Sequence, residues 1–330
     1  MTSGATWGLW LEPLLPPSEL AALAREAEEA GASHVFVADE GTERDMFVVL
    51  AVIAQATSRV HLGAGVTNPF TRHPVTLAAA FATLAEVAPG RIVAGFGTGG
   101  SRTLVPMAIE PARPYSALVQ CLDVFQQLLE GKEVTFDGEF GVKGARLSWS
   151  HGPLPIATAG RGPKVERLGA TRSDWILMSG KRVDLVAKVC EGIRAAGAAA
   201  GNVPSLAWSS YIGWDEAMLD DVRPHFTYMA TDMPADLRRA AGIDDETAEL
   251  VRSIMLKDGM EAAARLVPDE AVRNYAVVAD RDGAVALLSR IREEARPDMF
   301  LLPVNDYSRA GEFVRSAAPI LIEAGFEESR

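Results

Sequence analysis

The chain has 330 residues, of which 48% are hydrophobic and 23% charged, with 32 basic side chains against 44 acidic ones. A formal charge of −12 argues against nucleic acid or an anionic membrane surface as a partner, since both call for a basic stripe. No apolar run approaches the ~20 residues that span a bilayer. The N-terminal stretch lacks a basic segment, and two cysteines without C-x-x-C or histidine spacing make neither a disulfide framework nor a metal site. The expectation is an ordered, cytoplasmic protein acting on a small molecule.

Short apolar runs alternate with longer amphipathic segments along the chain, a pattern that calls for parallel strands joined by crossover helices. Residues 6–12 read as a first strand. Residues 18–31 read as a helix, with Ser18 as its cap and Gly31 as its stop. Strand 34–39 precedes a helix over 44–57, strand 59–65 a helix over 74–88, and strand 91–97 a helix over 115–131. A hairpin follows near 133–144. The alternation resumes with strand 154–159 and helix 163–172, strand 174–180 and helix 182–201, and a seventh strand over 205–214. Residues 215–275 read as a mainly helical insertion. A helix over 282–295, strand 299–304 and a last helix over 311–325 complete eight units. This count predicts a (β/α)8 barrel forming a single domain over 1–330; a doubly wound sheet with a helical appendage is the rival.

In such a barrel, chemistry gathers at the C-terminal face, where strands run out into loops. The candidates are therefore Glu12, Asp39 and Glu40, Gly65 to Asn68, Gly97 to Gly100, Gly160 to Lys164, and Ser179. The segment GFGTGG (95–100) matches a dinucleotide fingerprint in letters but not in context. It neither opens a helix in a first βαβ unit nor has an acidic residue ending the next strand. Its glycines fit the close approach of a flat ligand, or a tight turn alone. In ATAGRGPKVERL (157–168), Pro163 and Lys164 open a helix whose free N–H groups and dipole favour an anion, with Arg161 adding charge; an ordinary capped loop reads alike. Asp39, Glu40 and Glu12 can accept hydrogen bonds or move a proton, or merely cap and solvate. His73 before Pro74 reads as structural. The tryptophans read as core, with Trp208 or Trp214 as alternative pocket walls.

The stretches HVFVADEG through GFGTGG (34–100), with VTNPFTRHP and PGR in that order, and LPIATAGRGPKVERLGATRSDWILMSG (154–180) resemble the luciferase-like monooxygenase superfamily. Within it they resemble the coenzyme F420-dependent, methylenetetrahydromethanopterin reductase-like branch. The resemblance implies a (β/α)8 barrel, a homodimer, and a non-proline cis peptide at Gly65 and Val66. On that peptide a flat deazaflavin ring rests, with Thr67 and Asn68 beside it. It also implies that Asp39 contacts the coenzyme, that Gly97 and Thr98 line the same site, and that Gly160, Arg161, Gly162, Pro163 and Lys164 take its phosphate. The activity implied is hydride exchange with an unidentified small organic substrate, with Glu12 or Glu40 handling the proton. Sugar-phosphate dehydrogenases of the branch carry a glutamate after GTG and a histidine after the second-strand aspartate, where this chain has Gly100 and Glu40. That departure argues against glucose 6-phosphate. The alternatives are an FMN-dependent monooxygenase using dioxygen on the same scaffold, and a non-catalytic deazaflavin carrier. The carrier reading is favoured by the lack of an evident histidine at the barrel mouth.

Overall fold

The computed structural model describes residues 4–149 and 152–327. Eight parallel strands close into a barrel: β1 (Thr6–Leu11), β2 (His34–Val37), β3 (His61–Ala64), β4 (Ile92–Phe96), β5 (Ile156–Ala159), β6 (Trp175–Met178), β7 (Ser205–Ser209) and β8 (Met299–Pro303). Each pairs with its neighbour in this order, and β8 pairs with β1 from Thr6↔Met299 to Trp10↔Pro303. Closure removes the exposed edges that an open doubly wound sheet would keep. The outer ring consists of α1 (Pro17–Glu29), α2 (Met46–Ala56), α3 (Pro74–Val87), α4 (Pro114–Leu129), α5 (Pro163–Arg172), α6 (Val186–Ala199), α7 (Arg281–Ala295) and α8 (Ala310–Glu323).

Two hydrophobic layers follow from the period-two alternation of strand side chains. Trp7, Leu9 and Leu11 of β1, with Val35 and Val37 of β2, face the helices. Phe36, Val93, Ala157, Leu177, Ala207, Met299 and Leu301 fill the barrel, with Trp10 and Trp175 packed on them. Large and small residues complement one another there. A β-carbon on Gly63 would lie 2.6 Å from the Phe36 ring, so a glycine on β3 makes room for the phenylalanine of β2. Continuing the inward face of β1 by one alternation beyond Trp10 reaches Glu12 at the mouth.

The sequence and the structure differ at two points. Ser18 does not cap α1: Pro16 takes the N-cap position without a side-chain bond, and Pro17 occupies the first turn, where its missing N–H costs nothing. The expected strand 205–214 breaks after Ser209. Its neighbours β6 and β8 end at Met178 and Pro303, so the backbone beyond needs a new partner. Ile212–Gly213 finds it in Val277–Val278, as a separate two-stranded parallel sheet. The tryptophans at 208 and 214 pack as core, as expected: Trp208 is fully buried against Phe300, and Trp214 stacks on Phe313 of α8. The hairpin is present, Val134–Phe136 pairing antiparallel with Val142–Ala145. Between β7 and α7, short helices over 218–275 enclose a small core of their own that includes Val222, Phe226, Met229, Val251 and Val272.

Candidate active site at the barrel mouth

The end of β3 forms a floor with few side chains. The Gly65–Val66 peptide is cis, as the resemblance implied. Trp10 Nε1 donates to the Gly65 carbonyl at 2.7 Å. Beyond it the chain re-joins β4, with Thr67 N–H donating to Gly95 O at 3.0 Å and Gly97 N–H to Thr67 O at 2.8 Å. A β-carbon on Gly95 would fall 1.9 Å from Ala64 O, and one on Gly97 2.8 Å from Val66 Cγ2. These glycines let the two strand ends touch. Asn68 Oδ1 accepts from the N–H groups of Phe70 and Thr71, both at 3.0 Å, which makes the exit a rigid turn.

Asp39, buried at the end of β2, accepts from Thr67 Oγ1 at 2.6 Å. Arg72 Nε lies 3.4 Å from the same carboxylate oxygen, and the guanidinium also pairs with Asp45, the cap of α2, at 2.5 Å. The polar residues of VTNPFTRHP thus lock Asp39 beside the floor. His73 is structural, as expected: its Nδ1 accepts from Val75 N–H and caps α3. Asp39, Gly65, Val66, Thr67, Asn68 and Gly97 form one contiguous region, with Thr98 half-buried at its rim.

Glu12 and Glu40 meet through a residue that the sequence did not single out. Arg102 Nη2 lies 2.8 Å from Glu12 Oε2, and its Nε 3.6 Å from Glu40 Oε2. Burial raises the pKa of Glu40; the Arg102 charge opposes this, while Glu12 and Asp39 add to it. Burial works against the Arg102 charge, but Glu12 and Glu40 outweigh it and raise its pKa. Tyr307 Oη accepts from the Glu12 backbone N–H at 2.5 Å. Burial first, and then Glu12, push the Tyr307 and Tyr211 phenols up, so both remain protonated donors. His225 stacks on Tyr211 at 4.3 Å with 18° between the rings, and its Nε2 bonds Asn305 O at 2.8 Å. Burial lowers its pKa, which leaves the imidazole neutral at physiological pH.

The expected lack of a histidine at the mouth is therefore corrected, because the insertion delivers His225. Tyr211, Asn305 and Tyr307 follow β7 and β8, so the strand-end argument applied to the last two strands would have found them. Arg102 lies two residues beyond GFGTGG, a weaker signal. His225 had none, because it comes from a short turn inside the insertion.

At the end of β5, Gly162 caps α5 and Pro163 takes its first position, with no side-chain cap bond. Lys164 is exposed on that turn. Arg161 turns toward the insertion, its Cζ 4.0 Å from the Tyr228 ring centroid. Lys181 donates to the Arg161 carbonyl at 3.2 Å and pairs with Glu166. Among the described residues, no group of three or more His, Cys, Asp or Glu side chains is placed to hold a metal, and no helix is long and apolar enough to cross a membrane.

A closed parallel barrel whose strand ends carry a glycine floor and buried carboxylates defines an α/β barrel with its site at the C-terminal face. The luciferase-like monooxygenase family model matches residues 3–298, and the chain belongs to that family. It is 26% identical over 296 residues to the 5,10-methylenetetrahydromethanopterin reductase of Archaeoglobus fulgidus, covering 86% of this chain and 89% of the relative. It is 36% identical over 184 residues to the F420-dependent glucose-6-phosphate dehydrogenase of Nakamurella multipartita, covering 51% and 54% of the two chains. The structure superimposes on the F420-dependent tetrahydromethanopterin reductase of Methanopyrus kandleri with a TM-score of 0.82 at 23% identity, covering 94% and 97%. An F420-dependent secondary alcohol dehydrogenase gives 0.74 at 20% identity, covering 97% and 99%. At these identities the two superpositions speak for the fold alone.

Proposed function

We propose that this chain is a coenzyme F420-dependent oxidoreductase acting on a small organic substrate. The observation that carries the reading is the carboxylate pair of buried Glu12 and partly buried Glu40, bridged by Arg102, with Asp39 of the glycine floor close enough to act on Glu40. The residues suit a deazaflavin. Gly97 lets Val66 pack against the end of β4, the cis Gly65–Val66 segment supplies a backbone surface for a flat ring, Asp39 and Thr67 offer polar atoms beside it, and the start of α5 suits a phosphate. The family relatives named for F420 support the same choice over FMN.

When bound, the deazaflavin ring supplies the hydride chemistry. The protein's own residues supply position and the proton. Burial and the neighbouring carboxylates hold a proton on Glu40 to a higher pH than is usual, which suits it to general acid or base work. Arg102 fixes the orientation of both carboxylates, and Tyr307 fixes the backbone beneath Glu12. The aromatic pair Tyr211–His225 forms a wall that narrows the mouth.

A fluorescence titration of the apoprotein with F420 and with FMN tests the reading. Selective binding of F420 is expected; preference for FMN refutes the assignment, and turnover of any substrate that bleaches or restores the deazaflavin removes the carrier alternative. We further infer a homodimer formed through the outer face of α2 and α3, where Val48, Val52 and Val87 are exposed and charged residues are sparse. Sedimentation of Val48→Glu with Val52→Glu should then yield a monomer. Two buried free thiols, Cys121 and Cys190, suit a cytoplasmic setting, and the insertion over 215–275 reads as part of one catalytic unit with the barrel.

A further inference from the structure

The insertion reaches the loop that opens α5. Tyr228 and Asp232 lie on one short helix, Tyr228–Asp232, and both meet Arg161. The guanidinium lies over the Tyr228 ring, and its Nη1 is 3.9 Å from Asp232 Oδ2. The other Asp232 oxygen accepts from Ser101 Oγ at 2.6 Å. Gly180, at φ 61°, passes so close that a β-carbon there would lie 2.9 Å from Tyr228 Oη and 3.1 Å from Arg161 Nε. The Tyr228 hydroxyl is sealed from solvent and has no hydrogen-bond partner. Burial pushes its pKa up to about 12, with Arg161 opposing; at neutral pH it is a donor without an acceptor, and such a group costs free energy until it is satisfied.

A buried donor beside the guanidinium of Arg161, the residue just before the N-cap of a helix with no side-chain cap bond, calls for an oxyanion. We propose that Tyr228 Oη, Arg161 and the first turn of α5 together hold the phosphodiester of the coenzyme, and that Asp232 is the internal anion Arg161 carries in its absence. The assignment rests on the F420 reading and adds a binding residue from the insertion. It gives that segment a role in the cofactor site as well as in narrowing the mouth. It also links the site to the GFGTGG loop, because the carboxylate that neutralises Arg161 is held by Ser101, the neighbour of Arg102.

The test is a fluorescence titration of wild type, Tyr228→Phe and Asp232→Asn with two probes: coenzyme F420, and its deazaflavin-ribityl fragment lacking the phosphate. Tyr228→Phe keeps the ring under Arg161 and deletes only the donor. F420 binding should weaken about tenfold while fragment binding stays unchanged, and Asp232→Asn should tighten F420 binding severalfold. Unchanged F420 affinity in Tyr228→Phe, or equal losses for both probes, overturns the Tyr228 assignment. Weaker F420 binding in Asp232→Asn overturns the role of Asp232, and that variant leaves Tyr228 in place should Tyr228→Phe fold poorly. Failure of wild type to bind either probe overturns the F420 reading itself, and with it this site.

Discussion

Lowering the pH from about 7.5 to about 5 should cost this fold about 2 kcal/mol of stability through one side chain, His34. His34 opens β2, and its ring lies in the barrel floor, stacked on His61 at 4.8 Å and on Phe36 at 5.9 Å, with the edge of Trp175 at 5.0 Å. Ser33 Oγ is 2.9 Å from its Nδ1. Burial, reinforced by His61, takes its pKa down to about 3, and no carboxylate offsets this. The unfolded chain takes up a proton below about pH 6.5, whereas the folded chain does so only near 3. The stabilisation is therefore complete above 6.5 and is lost as the pH falls. Integrated, the difference is about 5 kcal/mol at full protonation and about 2 kcal/mol by pH 5. Urea unfolding of wild type and His34→Gln at both pH values measures it. Any repacking cost of glutamine enters equally at the two pH values, so the variant should lose most of the pH difference. His61, lowered by burial and by Arg91, keeps a remainder of the same sign, removed by His61→Gln. A His34→Gln protein that retains the full wild-type difference would refute the reasoning.

Arg102→Gln should destabilise the protein by about 1–2 kcal/mol, because it leaves the buried Glu12 and the partly buried Glu40 without their cation, solvent around the half-exposed guanidinium screening part of the loss. The raised pKa of Glu40 makes this loss larger at pH 8 than at pH 5, and Glu40→Gln should restore part of it; thermal melts at both pH values decide. Gly95→Ala drives a β-carbon to 1.9 Å from Ala64 O and should abolish folding or lower the melting temperature steeply. Gly100→Ala, with nothing within 4 Å of the added carbon, should stay within about 0.5 kcal/mol of wild type. Gly162→Val, whose added carbon also meets nothing within 4 Å, should leave the melting temperature alone and weaken F420 binding; unchanged affinity would exclude the start of α5 from the cofactor site. Replacing Gly160 is a poorer probe, because its β-carbon would lie 2.6 Å from Val165 and disturb the helix start.

Local signals in the chain were enough for the barrel and for one side of its mouth. Apolar runs of strand length separated by amphipathic segments leave few alternatives to parallel strands with crossover helices, and Pro17, Pro74 and Pro163 each mark the first turn of a helix. Gly65 to Asn68 and Gly97 were readable as strand-end candidates because glycines and a Thr-Asn-Pro run are local signals, whereas the cis peptide that makes them a floor was implied by the family resemblance. The seventh strand was misread because Tyr211, Ile212 and Trp214 carry the strand-like pattern past the serine pair Ser209–Ser210; where the strand stops depends on the lengths of β6 and β8, which are remote in sequence.

The sequence by itself determined the alternation of elements and which strand ends carry carboxylates and glycines, since each follows from residue period and backbone preference, and it favoured a barrel over an open sheet, a choice that the pairing of β8 with β1 decides. Only the tertiary structure decided who neutralises whom. Arg102 reaches Glu12 across 90 residues, Tyr307 reaches Glu12 across 295, and His225 and Asn305 meet across 80. Those pairings set the protonation of the mouth, and a single chain read in order carries no signal for them, because the Coulomb interaction depends on distance in space and burial depends on the whole fold.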